Sequence, residues 1–136
     1  MATNDYVLES LTQLDRYVRL MGAVPTIEGI VDVVRIYLAE WPRSRVLRLQ
    51  SMDAGWAPFD DNQQAVPVED ADDVRRIFAS VRNQCAALRA AGLTLSPELL
   101  ELDLFFFFAN ESMDVHQPYA GLRVPPSPQL ELAAWR

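Results

Sequence analysis

Between Arg48 and Arg75 the chain carries Asp53, Asp60, Asp61, Glu69, Asp70, Asp72 and Asp73 and not one basic residue. Carboxylates crowded in this way suit three chemistries: a focused negative field for a cationic partner, oxygens converging on a hard divalent cation, or a general acid and base pair. Trp56 and Phe59 stand in the same interval. Aromatic anchors beside charge favour the first, because charge speeds encounter while buried aromatics supply most of the affinity. The metal reading is weaker: neither Asp60-Asp61-Asn62 nor the run from Glu69 to Asp73 has the central Gly and terminal Glu of a calcium loop. For a paired-carboxylate hydrolase, no spacing says which two acids would face each other. The plain alternative is a solvated acidic loop followed by an ordinary helix cap.

The other reactive side chains are few. His116 is the only histidine, with Ser112 and Asp114 nearby. A Ser-His-Asp relay needs residues assembled from distant parts of the chain and an oxyanion hole, and no glycine-rich nucleophile turn accompanies these three. Cys85, the only cysteine, excludes an internal disulfide framework and a multi-cysteine zinc site, and falls on an apolar stripe where an inert thiol is expected. Phe105 to Phe108 read as core, covered on both faces; a bare face there would instead be a surface for self-association. The twelve basic residues are all Arg, which removes a Walker-type phosphate lysine and a Schiff-base lysine.

These residues sit in a chain of 136 residues, 50% apolar and 23% charged, with a formal charge of −7. That length and composition suit one domain, 1–136, able to bury a core without disulfides or metal. The seven acids named first equal the net charge, since the remaining acids are matched by the arginines. A net negative chain is repelled by phosphate backbones and anionic membranes, so neither nucleic acid nor membrane is expected as a partner. Met1 to Asp5 carry no basic flank of a secretory signal, and the longest apolar run, Leu104 to Ala109, is too short to cross a bilayer. A cytoplasmic location is the expectation.

Apolar residues recur at three- and four-residue steps from Asp5 to Met21 and predict an amphipathic helix ended by Gly22. Thr26 predicts the N-cap of a second helix, carrying Ile27, Ile30, Val31, Val34, Leu38 and Trp41 and stopping before Pro42. Arg45 to Ser51 reads as a short strand, Met52 to Gly55 as a turn, Trp56 to Phe59 as a second extended piece, and Asp60 to Pro67 as a loop. Asp70 as N-cap, Asp72 and Asp73 in the first turn, and Gly92 just past the end frame a third helix with Val74, Ile77, Phe78, Val81, Cys85 and Leu88 on one stripe. Ser96-Pro97-Glu98 suggests one helical turn, and the alternation from Leu100 to Ala109 a central strand. Prolines at 118, 125, 126 and 128 make residues 118–136 an extended arm.

The order predicts an α+β fold with about four helices on one side of a small, mainly antiparallel sheet; the alternative is a mostly helical protein with one β-hairpin. The functional expectation is a non-catalytic acidic protein that binds and neutralises a basic partner protein, of the bacterial immunity or antitoxin kind, with no cofactor. Its binding residues would be Asp53, Trp56, Phe59, Asp60, Asp61, Glu69, Asp70, Asp72 and Asp73. A self-associating structural or adaptor protein, a homo-oligomer, is the second reading, and a small carboxylate- or metal-dependent enzyme the third.

Overall fold

A computed structural model describes residues 2–51 and 65–116, apart from the side chains of residues 2–8, 48, 50 and 51. Five helices follow one another: α1 (Ala2–Ala23), α2 (Ile27–Glu40), α3 (Arg43–Ser51), α4 (Ala71–Ala90) and α5 (Pro97–Val115). Among the described residues there is no β-strand, so the α+β expectation is overturned. The hairpin of the alternative also loses its first strand, because Arg45 to Ser51 lies in α3.

Two stretches follow a helical period rather than the alternation their sequences suggest. In α3, Val46 and Leu49, three apart, are buried while Leu47 is exposed, which is helical spacing. Pro42 both stops α2 and starts α3, its carbonyl accepting from the amides of Arg45 and Val46. In α5 the start signal is real but opens 19 residues of helix: Ser96 Oγ accepts from the Leu99 amide at 3.1 Å and Pro97 occupies the first turn. Leu99, Leu102, Leu104, Phe105, Phe106, Phe108, Ala109 and Met113 are all buried. A helix buried over most of its circumference has no broad polar face to reveal its period, and a short window of it reads as a fully covered strand.

α5 is the axis of the molecule and touches α1, α2, α3 and α4. Tyr37 of α2 stacks on Phe105, ring centroids 3.6 Å apart, and Tyr17 of α1 meets both rings edge-on. α1 runs through Gly22 to Ala23, and the Leu20 carbonyl accepts from the Val24 amide. The expected apolar stripe is buried at Leu14, Tyr17, Val18 and Met21. In α2, Thr26 caps as expected, Oγ1 accepting from Gly29 N at 3.1 Å. α4 matches its expected frame most closely. Asp70 and Asp73 form a reciprocal capping box. Past the other end Gly92 takes φ 76°, its amide bonding to Arg89 O and that of Leu93 to Leu88 O, a Schellman closure that a side chain at position 92 would strain.

Candidate functional site

The acidic segment divides into two parts. Asp53, Trp56, Phe59, Asp60 and Asp61 lie outside the described residues, as do residues 118–136. Glu69, Asp70, Asp72 and Asp73 are brought together at the start of α4. Asp73 is turned into the structure: its Oδ2 accepts from the amides of Glu69 at 2.8 Å and Asp70 at 3.3 Å, and its Oδ1 pairs with Arg76. Asp70 Oδ1 accepts from the Asp73 amide at 3.0 Å. Both acids therefore cap the helix. Glu69, Asp70 and Asp72 are exposed, and the Asp72 side chain, 89% accessible, makes only a 3.9 Å approach to Arg75.

The segment leading into this ridge is fastened to α2. Arg35 donates through Nε, at 2.9 Å, and Nη2 to the carbonyl of buried Val68, while its Nη1 reaches Asp32 at 2.6 Å. One guanidinium thus fixes where Glu69 and Asp70 emerge, and Asp32 adds a carboxylate beside the anchor.

Three further acids, Glu98, Glu101 and Asp103, are buried on α5. Glu101 receives donors from two helices: Tyr37 OH at 2.6 Å and Trp41 Nε1 at the end of α2, and Arg45 Nη1 of α3 at 3.0 Å. Arg45 also donates to Ser10 Oγ of α1 at 3.2 Å. Burial, with Glu101 beside it, pushes the Tyr37 phenol well above its ordinary range, so it stays a neutral donor to the carboxylate. Asp103 takes Arg82 Nη1 of α4 at 3.1 Å. Burial first, then the Asp103 charge, pushes the Cys85 thiol up to about 12; a thiol held protonated is a poor nucleophile.

The alternation expected from Leu100 to Ala109 places Glu101 and Asp103 on a half-exposed face, whereas helical winding turns both inward. A usable signal was present in the start motif at Ser96 combined with an apolar run longer than an ordinary strand. The cluster binds helix to helix, with both Glu101 oxygens and Asp103 Oδ2 accepting from protein donors.

Ser112, His116 and Asp114 do not assemble into a relay. His116 Nδ1 lies 2.7 Å from the Ser112 carbonyl and Nε2 faces the carbonyl of Val24, so the ring ties the end of α5 to the α1–α2 turn. Ser112 Oγ has no hydrogen-bond partner among the described residues, and Asp114 approaches Arg75 at 3.8 Å. Among the described residues no three His, Cys, Asp or Glu side chains converge as a metal site, and no helix is long and apolar enough to cross a membrane.

The class that these observations define is an acidic protein with five helices among the described residues, a helix-capping carboxylate ridge and a buried ionic cluster. No family model matches the chain, and no curated protein or solved structure matches it at a significant level.

Proposed function

We propose that the chain is a non-catalytic binding protein that takes a basic protein partner on the acidic ridge at the start of α4, in the manner of a bacterial immunity or antitoxin-type inhibitor. The observation that carries this reading is the outward set of Glu69, Asp70 and Asp72 on a segment that Arg35 anchors to α2. A ridge held in place loses little freedom on binding, and carboxylates on a rigid base speed the approach of a cationic partner. The helix N-terminus behind them partly offsets their charge, so a partner must bring its own lysines or arginines to complete the contact.

The test uses two columns, one bearing the native protein and one bearing Glu69→Gln with Asp72→Asn, which spares the capping pair Asp70 and Asp73. A source-cell lysate is loaded at low salt and eluted with a salt gradient. A basic protein held by the native column and released at lower salt from the variant supports the reading. Equal retention on both columns, or no basic protein on either, overturns it.

A further inference from the structure

We propose that His116 is a proton-operated latch: as the imidazolium it holds the C-terminal ends of α5 and α1 together, and as neutral imidazole it lets them part. The reading rests on the two acceptors that the ring meets and is independent of the acidic ridge. Nδ1 lies 2.7 Å from the Ser112 carbonyl, and Nε2 lies against the Val24 carbonyl. Neither contact leaves room for a water between. A carbonyl oxygen only accepts, so each ring nitrogen must carry a proton for both contacts to be hydrogen bonds. A neutral imidazole has one N–H and one lone pair, whichever tautomer it adopts. It satisfies one contact and sets a lone pair against oxygen at the other. The imidazolium donates at both.

The position of the two acceptors is a second argument. Ser112 stands in the last turn of α5, which ends at Val115, and Val24 follows Ala23, the last residue of α1. The negative ends of two helix dipoles thus converge on one ring. Neither helix has a basic residue in its last turn, and His116 supplies the cation that an arginine would otherwise bring. The elements that meet here also carry Glu111 and Asp114 on α5, Arg19 on α1, Glu28 at the start of α2 and Arg75 on α4. Among the described residues none of these is hydrogen-bonded or ion-paired to the ring, whose two bonds are both to carbonyls. Arg19 is taken by Asp15, and Asp114 approaches Arg75. The latch is therefore read by backbone carbonyls and not by a carboxylate partner. Closure takes up a proton, so acid favours the latched form and rising pH opens it, within the interval of about pH 5 to 8 in which an imidazole changes charge.

Amide hydrogen exchange of the full chain, corrected for the pH dependence of exchange itself, measures this opening at about pH 5.5 and about pH 8. Protection of Val24 and of Met113 to His116 is expected to fall roughly two- to fivefold over that rise, while protection from Val74 to Val81 in α4 stays constant. His116→Gln, which does not titrate, is expected to abolish the difference between the two pH values. Asp114→Asn is expected to preserve it. Should His116→Gln fold poorly, the native protein decides by magnetic resonance: the ring signals of its one histidine and the amide signals of Val24 and His116 are expected to change together, with one midpoint. Protection that does not vary with pH overturns the proposal. So does a difference that persists in His116→Gln or vanishes in Asp114→Asn, or a ring that titrates apart from those amides.

Discussion

Glu101 carries a carboxylate into the centre of a helical protein, where an isolated charge is not tolerated. It is held there because Tyr37, Trp41 and Arg45 all aim a donor at it and Arg45 is in turn met by Ser10. Removing one partner of such a pair costs more than the pair contributes, because the other charge remains buried. Glu101→Ala is expected to lower unfolding free energy by about 3 to 5 kcal/mol in urea titrations. Glu101→Ala combined with Arg45→Met is expected to recover part of that loss; no recovery would mean that Arg45 is not the stranded charge. Cys85 and Tyr37 set an alkaline limit in the same region. Both have raised folded-state values, from 9.0 to about 12 for the thiol and upward from 10.0 for the phenol. Their contribution is complete below the unfolded values and is lost as pH rises through the folded ones. Melting temperature is therefore expected to fall between about pH 9 and 12, and less steeply in Cys85→Ala. At this scale the sequence was legible for apolar residues and opaque for buried acids. Cys85 was readable as an inert thiol from its stripe, whereas nothing local to Glu101 distinguishes a carboxylate facing water from one facing an arginine more than fifty residues away.

At the scale of elements, legibility followed the strength of end signals. α4 could be read because Asp70, Asp73 and Gly92 each do a distinct backbone job, and α2 because Thr26 and Pro42 bound it. α3 and α5 could not, since Val46-Leu47-Arg48-Leu49 and the run through four phenylalanines fit alternation as well as helix until their neighbours are known. The division of labour among the α4 acids is testable. Asp73→Ala breaks the capping box and is expected to cost about 1 kcal/mol, while Asp72→Ala, which caps nothing, is expected to change stability by a few tenths at most. Equal effects would show that charge near the helix end matters and the cap geometry does not. Phe106→Ala on α5 removes a fully buried ring and is expected to cost about 3 to 5 kcal/mol while leaving the ridge at α4 in place.

For the molecule as a whole, the charge arithmetic and the packing lead to one picture. Outside the interval between Arg48 and Arg75, acids and arginines balance, so self-repulsion is not spread through the helical body. α5 supplies the common contact for the other four helices, whereas α3 packs on α5 alone among helix pairs and relies on Arg45 for its polar tether. Stability should therefore be graded, because helices with fewer buried neighbours open at lower free energy. Amide hydrogen exchange is expected to be slowest from Leu99 to Met113 and faster in α3 than in α2, α4 or α5. Glu101→Gln keeps the side-chain volume and removes the charge that Arg45 meets, so it is expected to speed exchange in α3 more than in α4. If α3 exchanges as slowly as α5 and the substitution accelerates all helices alike, the five helices open as one unit and Glu101 serves the whole core equally.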